Sequence, residues 1–513
     1  MPKSIQHMFE TEKTKRAQYE KIWDVSSEYT IREMYLPDTL RETLFNSPED
    51  MVEGDNIGSE GLSNLISVVQ RTAFQPNKPF FETAPKKGSE LAALPPAKRV
   101  AICAETALNG SLALYKHGLS EALYYILGRF LCVGTVAWKL PTPGTDEMIE
   151  VYELNDIVVK RGYNGKLAHL IIQDKTTLNL LPEEIRQQVA DKYKDAKERE
   201  VSLYTMLEAN EYGKYEVRQA VDEHELDVAH NFTPGIDSPY QVSSLFTPRG
   251  RNYGVGAVYR YLKWLHAANV YRDANTDVAA VGSLLNWGVT PNAAVNPDEF
   301  EQRSQGQAFS LREGDVFPIV PKIGQQYQLT ANSYAEVAQT LQRAFMVFSA
   351  VQRNAERVTA EEIKTVIRAL EESHSGVYAQ VGSQIQRPLA HAALRMVDNP
   401  ELKPWVSQMD IQLVSVHESM GRAAQNSNLL TSLNQISVLN SIPPEISAGL
   451  KKQAIIAAIF ANNNAKVDDY VMTEEEVAQA QAQQSQQTQP AVQQQQNFSS
   501  NDQLLAALNK PLV

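Results

Sequence analysis

The chain has 513 residues, and its 48 Lys and Arg against 61 Asp and Glu leave a net charge of −13. At roughly 100–200 residues per domain that length exceeds one compact core and implies two to four structural units, and 43% apolar with 21% charged residues excludes a disordered chain. The acidity excludes a protein that wraps nucleic acid over its whole surface, since phosphate neutralisation needs clustered Lys and Arg, but it leaves room for a few local contacts.

In chain order, the first third reads as helical. Residues 8–35 set Met8, Phe9, Tyr19, Ile22, Trp23 and Tyr29 among charges. A second apolar-periodic helix opens at Gly58-Ser59-Glu60-Gly61-Leu62-Ser63-Asn64-Leu65-Ile66 and ends before Pro76. Residues 97–117 and 119–131 predict two more helices, split at Gly118. The pattern then changes to short runs rich in β-branched and aromatic residues between Gly and Asn turns. Tyr152–Ile157, Leu167–Asp174 and Val201–Leu207 predict a small, mostly antiparallel sheet, interrupted by one polar helix after Pro182.

Helical periodicity returns at Gly256. Val258, Tyr261, Leu262, Leu265 and Ala268 form one apolar stripe, which fades into Gly282 and a Pro-dotted loop-and-strand section over 284–332. Ser333-Tyr334-Ala335-Glu336 has the form of a capping box, and Tyr334, Val337, Leu341, Phe345 and Phe348 continue that helix's apolar face. After a polar segment, Gln352 to Arg357, a second capping box at Thr359-Ala360-Glu361-Glu362 opens a helix to about Val397, kinked at Pro388. A third helix start, Thr473-Glu474-Glu475-Glu476, leads into a Gln-rich run at 479–496, which reads as low complexity. No repeat of fixed period is visible.

Chemistry-bearing motifs are scarce. Cys103 and Cys132 both lie in apolar contexts with no Cys-x-x-Cys, so they read as buried free thiols in a reducing compartment. Met1-Pro2-Lys3-Ser4 runs directly into polar residues, unlike a secretory leader. The most apolar stretch, Leu119–Trp138, is broken by Glu121 and Arg129 and reads as core elements, not a membrane span. A soluble protein made in a cytoplasm is the expectation.

Gly165-Lys166 is followed by Leu167, where a P-loop needs a hydroxyl, and Gly254-Val255-Gly256 lacks the third glycine of a dinucleotide fingerprint. The best metal candidate, His224-Glu225-Leu226-Asp227-Val228-Ala229-His230, spaces its histidines six apart. On a helix they would point to opposite faces, and along one strand they would sit about 20 Å apart, so a solvated strand is the plainer reading. The sequence supports no enzyme and calls for no cofactor.

The segments in this order resemble the head-to-tail connector (portal) proteins of short-tailed phages, the podoviruses. The sharpest likeness is Ser349-Ala350-Val351-Gln352-Arg353-Asn354-Ala355-Glu356-Arg357-Val358-Thr359-Ala360-Glu361-Glu362-Ile363, which resembles the family signature A-V-Q-R-x-x-E-R-V-T-A-E-E-I. Gly61-Leu62-Ser63-Asn64-Leu65, Leu181-Pro182-Glu183-Glu184-Ile185-Arg186, Arg251-Asn252-Tyr253-Gly254 and Gly376-Val377-Tyr378 also match, so the likeness covers roughly residues 8–480.

The resemblance implies an α+β, predominantly helical portal fold, with wing, helical stem, clip insertion and helical crown. It implies assembly into a ring of about twelve copies at one capsid vertex. Double-stranded DNA would pass through that ring during packaging and ejection, without sequence specificity. Residues 1–255 would be the wing, 256–283 and 333–350 the two stem helices, and 284–332 the clip. Residues 351–358 would be the channel loop, 359–420 a long helix returning to the wing, 421–478 the crown and 479–513 the Gln-rich tail.

Arg353 and Arg357, with Gln352 and Asn354 beside them, would touch DNA phosphate, since guanidinium matches phosphate without reading bases. Arg357 has an alternative partner in Glu356 or Glu361 of a neighbouring subunit. Thr359 and Glu362 would cap the helix after the loop, and Thr359→Ala would then cost about 1 kcal/mol. Arg312 and Lys322 in the clip are weaker candidates for partner contacts. Implied partners are the terminase packaging motor (a separate ATPase, as the P-loop is missing), a tail adaptor or tail tube protein, and capsid and scaffolding proteins, with internal core proteins as a further class. The expected location is the virion, after assembly in the cytoplasm of the bacterial host. Two other readings stay open: another ring-forming tail adaptor, and a metal-dependent hydrolase built on His224 and His230.

Overall fold

The computed structural model describes residues 4–41, 56–74, 78–189, 192–193, 199–227, 230–233, 236–283, 286–291, 293, 312–319, 324–345 and 376–413. Helix and sheet are both present, and helix outweighs strand. The helices discussed below are α1 (Ile5–Glu28), α2 (Asn56–Ala73), α3 (Pro96–Lys116), α4 (Leu119–Cys132), α5 (Glu183–Val189), α6 (Leu262–Ser283), α7 (Gly324–Ala344), α8 (Val377–Val381) and α9 (Arg387–Arg395). The strands are β1 (Phe81–Pro85), β2 (Thr135–Lys139), β3 (Glu150–Tyr152), β4 (Ile157–Arg161), β5 (Leu167–Thr177), β6 (Glu200–Ala209) and β7 (Tyr215–Val221). They continue with β8 (His224–Glu225), β9 (His230–Phe232), β10 (Tyr240–Ser244), β11 (Asn286–Val289), β12 (Val316–Ile319) and β13 (Met409–Leu413).

The largest sheet is an antiparallel meander, β4-β5-β6-β7-β8, with β9 also on β7. Side-chain alternation gives it two covered faces. Val158, Ile171, Tyr204, Met206 and Ala220 pack under Ile5 and Phe9 of α1. The opposite parity, Val201 and Val221, packs with Leu178, Leu181, Ile185, Val189 and Leu226 around α5. A second sheet runs β10-β2-β3, and β1 pairs with β13 across more than three hundred residues of sequence. Gly118, at φ +80°, makes the left-handed turn that ends α3 and starts α4, as expected from the sequence.

Several boundaries differ from expectation. Tyr152–Ile157 is not one strand, because a 3-10 turn at Leu154–Asp156 separates β3 from β4. Asn155 donates to the Leu36 carbonyl at 2.7 Å and to Asp38 at 2.8 Å. Buried Arg16 collects the carbonyls of Leu154 and Asn155, each at 2.9 Å, and that of Ile157. Those side-chain partners outcompete a ladder through the same residues.

Ser333 does not start a helix, since α7 begins nine residues earlier at Gly324. The intervening Gln, Leu and Ala are good helix formers, and Thr330 bonds across to Asn275 of α6 at 2.5 Å. The helix expected over 333–350 therefore runs over 324–344 as far as it is described. Nor does one helix run to 420. From Val377 the chain forms α8, a π-helical turn at Gly382–Gln386 just before Pro388, and α9, which ends at Arg395. The missing amide of Pro388 accounts for the irregular turn. Asp398-Asn399-Pro400 then breaks the helix, and Met409–Leu413 becomes the edge partner of β1.

Candidate functional site

The most distinctive construction is an arm of two helices, α6 and α7, joined through the antiparallel pair β11 and β12. Tyr261 meets Phe345 with ring centroids 5.7 Å apart, and Asn275 meets Thr330. Residue numbers on the two helices thus fall together at a nearly constant sum, so the helices are antiparallel. At 1.5 Å per residue each is about 32 Å long. Burial falls off along this length. Leu265 and Ala268 of α6 and Val337, Ala338 and Leu341 of α7 are buried near the base. No described side chain of 269–281 or 327–336 is buried. Instead the arm exposes Trp264, Val270, Val281, Tyr327 and Leu329, and its β-pair exposes Trp287, Phe317 and Ile319. Residues of this size gathered on one projecting element mark a surface meant to be covered.

The arm's base is seated by close backbone approaches that only glycine permits. A Cβ on Gly58 would lie 1.9 Å from the Tyr29 carbonyl and 3.2 Å from Leu265, while one on Gly61 would lie 2.8 Å from the Phe345 ring. Just before the arm, a Cβ on Gly254 would strike the Gly134 carbonyl at 2.2 Å, and one on Gly256 the Cys132 carbonyl at 2.0 Å. Polar bonds complete the seat. Asn64 donates to the Phe345 carbonyl at 3.0 Å, and the Gly254 amide donates to the Thr135 hydroxyl at 2.8 Å. The Tyr29 hydroxyl lies 2.9 Å from Nδ1 of His266, and burial, with Glu28 nearby, holds the Tyr29 pKa above its usual value. The hydroxyl therefore keeps its proton and its place in that bond.

Helix α2 also receives the chain after residue 375. The Tyr378 hydroxyl donates to the Thr72 carbonyl at 3.1 Å, and the buried Gln386 amide to the Ala73 carbonyl at 2.7 Å. Asn64 and Thr72 are eight residues apart, about 12 Å along the helix. Both flanks of segment 346–375 are thus bonded to one helix.

Arg353, Arg357, Gln352, Asn354, Thr359 and Glu362 all lie within that segment, outside the described residues, as do Lys322 and the Gln-rich tail. Arg312 is exposed, and its backbone amide donates to Asp315 at 3.1 Å in a turn. His224 and His230 sit on separate strands, pairing with Val221 and Val217 of β7, and His224 contacts the Lys192 amine at 2.8 Å. They do not converge, and among the described residues no group of three or more His, Cys, Asp or Glu is placed to hold a metal. Both cysteines are buried and unpaired. Burial pushes the Cys132 thiol up to about 12.

Residue-by-residue reading missed Tyr29, Gly58, His266 and Phe345 as seat residues. The stretch Gly61–Leu65 reads from the sequence as part of a helix start, and Arg251–Gly254 and Gly376–Tyr378 stand out by resemblance. The structure gives them a physical role: Gly61 and Asn64 hold Phe345, Tyr253 accepts from the Val159 amide at 3.0 Å, and Tyr378 anchors to Thr72.

A family model described as "Bacteriophage head to tail connecting protein" matches residues 2–465. The portal protein of Enterobacteria phage T3 is 27% identical over 281 residues, 54% of this chain and 52% of its own. The chain thus matches about half the length of that relative. The portal protein of Escherichia phage T7 is 25% identical over 369 residues, 70% of this chain and 68% of its own. That of Enterobacteria phage SP6 is 22% identical over 498 residues, 93% and 94%. Among solved structures, a chain of the "Virion of native gene transfer agent (GTA) particle" is 12% identical with a TM-score of 0.38, covering 79% of this chain and 94% of that one.

Proposed function

The chain belongs to the family of bacteriophage head-to-tail connecting proteins, and from that premise we propose that it forms the portal ring of a short-tailed phage. In this reading about twelve copies surround an axial channel at one capsid vertex, and double-stranded DNA enters and leaves through it. The role is structural and not enzymatic, so the driving force comes from a separate terminase motor. That motor engages the ring first and a tail adaptor or tail tube protein engages it later, while capsid and scaffolding proteins surround it.

The observation that carries this reading is the arm. A pair of antiparallel helices that loses its burial away from the body, and exposes Val270, Val281, Tyr327 and Leu329 there, needs neighbours to cover it. In a ring the same arm on the next copy supplies that cover, and β11 with β12 becomes the clip at one end. The body up to residue 255 is then the wing. Segment 346–375, flanked by anchors on α2, carries the channel loop at 351–358, with Arg353 and Arg357 as phosphate contacts and Gln352 and Asn354 beside them. Thr359 and Glu362 cap the helix that follows. Residues 421–478 form the crown.

Single-particle imaging of the purified chain tests the assembly. Rings with a central opening are expected. Monomers alone, across protein concentration, salt and magnesium, would defeat the proposal. In infected cells the ring should occupy the capsid vertex itself, whereas a ring found only below it would identify a tail adaptor.

A further inference from the structure

We propose that a cavity beside α4 and β3 binds an arginine residue of a basic polypeptide other than this chain. Glu33 and Glu121 hold its guanidinium, and Arg129 donates to its backbone carbonyl. The site lies outside the arm and does not depend on the ring reading above.

Glu121 and Arg129 are the two charges that break the most apolar stretch of the sequence. Both line one cavity of about 460 Å³, within the range of sites that hold small ligands. Glu121, Tyr125 and Arg129 recur every fourth residue, so they fall on one side of α4, each about 6 Å further along it. A second wall is Ile149, Val151 and Glu153, which alternate onto one face of the chain through β3. The 3-10 turn at Arg32–Met34 brings Glu33 to the same space.

Arg129 is 2% exposed. It donates to the Tyr152 carbonyl at 2.6 Å and pairs with Glu153, and its guanidinium carbon lies 5.9 Å from the centre of the Tyr125 ring. Its Nε–H is buried with no hydrogen-bond partner among the described residues. A donor left in that state costs free energy until an acceptor reaches it. The pair with Glu153 is internally neutral. Glu33 and Glu121 are not compensated in this way, since no lysine lines the cavity and neither carboxylate has a cationic partner among the described residues.

The cavity therefore calls for two things at once, a cation for the two carboxylates and an acceptor for Nε. DNA is excluded, because its phosphates would meet like charge. A simple organic cation supplies only the first. A basic residue within a peptide supplies both, and its alkyl stem can lie along Tyr125, Ile149 and Val151. Arginine fits better than lysine, because its planar fork matches carboxylates and its face stacks on an aromatic ring. A basic partner is favoured over another copy, because two chains of charge −13 repel each other.

The test is ligand-observed NMR on the full chain with three probes. Nα-acetylarginine N-methylamide carries both groups, its norleucine analogue lacks the cation, and butylguanidine lacks the carbonyl. The arginine probe should bind in the millimolar range, at least about tenfold tighter than either of the others, and more weakly as salt is added. Glu33→Gln/Glu121→Gln should weaken its binding at least about tenfold and leave the thermal melt unchanged, since both side chains are exposed. No binding of the arginine probe, or binding indifferent to the double substitution, would overturn the site. Butylguanidine bound as tightly as the arginine probe would overturn the carbonyl contact, and with it the assignment to a polypeptide. The oligomeric state of the double variant, read by light scattering, should equal that of the wild type; a lower one would give the cavity to a neighbouring copy and overturn the assignment to a different polypeptide.

Discussion

Gly61→Ala tests whether the arm's seat works by close packing. Taken alone, alanine within a helix is favoured over glycine by about 1 kcal/mol, so an unobstructed site would be stabilised. Here the added Cβ would lie 2.8 Å from Cγ and Cδ2 of Phe345 and 3.0 Å from its Cβ. The obstruction is the root of a fully buried ring and not a flexible tip, so Phe345 must retreat by several tenths of an ångström. Overpacking of this kind costs about 1–3 kcal/mol. The retreat also draws the Phe345 carbonyl away from Asn64, now at 3.0 Å, and loosening that bond adds about 1 kcal/mol. Set against the helix gain, the net loss is about 1–3 kcal/mol. Denaturant unfolding of the full chain measures it. Phe345→Leu removes the ring root's bulk and supplies the control: costly alone, it should restore stability in the Gly61→Ala background, with a coupling of at least about 1 kcal/mol. Additive effects, or a Gly61→Ala variant more stable than wild type, would refute the steric argument.

Gly256→Ala should be far harsher, above about 4 kcal/mol, because its Cβ would meet the carbonyls of Cys132 at 2.0 Å and Leu131 at 2.8 Å, neither free to move; soluble yield and hydrogen exchange of α4 report it. Asp174 has its carboxyl pushed up to about 6, by burial first and then by Glu150 and Asp156. Its folded pKa exceeds the ordinary value near 4, so its contribution to stability is full below about pH 4 and is lost as pH rises through 6. Discounted for partial exposure, Asp174→Asn should then stabilise by about 1–2 kcal/mol at pH 7.5 and by nothing at pH 4, and a difference independent of pH would contradict this. Cys103 and Cys132 should resist alkylation at pH 8 until the chain unfolds, since burial raises both thiols; mass spectrometry of labelled native protein decides it. Asp277→Lys/Glu336→Lys should tighten duplex binding by assembled rings and steepen its salt dependence by about 0.9 for each phosphate gained, whereas unchanged binding would mean that the arm does not face DNA.

Local signals in the sequence were read well where one residue type dictates the backbone. Gly118 must split α3 from α4 because the chain turns left-handed there. The stripe Val258, Leu265 and Ala268 is buried at the arm's base as its spacing predicts. Errors arose where distant partners decide. Tyr152–Ile157 has strand composition, yet Arg16, far away in sequence, claims its carbonyls. Ser333-x-x-Glu336 has capping-box form, yet packing against α6 carries α7 nine residues further back. β1 was unreadable because its partner among the described residues, β13, lies at their far end. The seat shows the same limit. A glycine at 61 announces that something comes close, but only the fold says that Phe345 does.

The charge distribution bears on what the arm can do. α6 carries Lys263 and Arg272 against Asp273 and Asp277, and α7 carries Arg343 against Glu336. Three positive and three negative charges cancel, and Arg272 already pairs with Asp273 at 2.8 Å, so the net −13 resides outside these two helices. α7 is otherwise Gln, Asn, Ser, Thr, Ala and a few apolar residues. In the proposed ring a surface of this kind neither binds nor expels a polyanion. Each phosphate neutralised releases counterions and adds affinity, and affinity repeated around a ring and along its length would become drag on a moving duplex. A lining rich in amides and small residues avoids that cost, and it leaves any grip on DNA to a few guanidinium groups. In that proposal Arg353 and Arg357 would supply them. Strong acidity, which first counted against a protein that handles DNA, is therefore compatible with one that lets DNA pass, because the charge lies away from the surface that would line the channel.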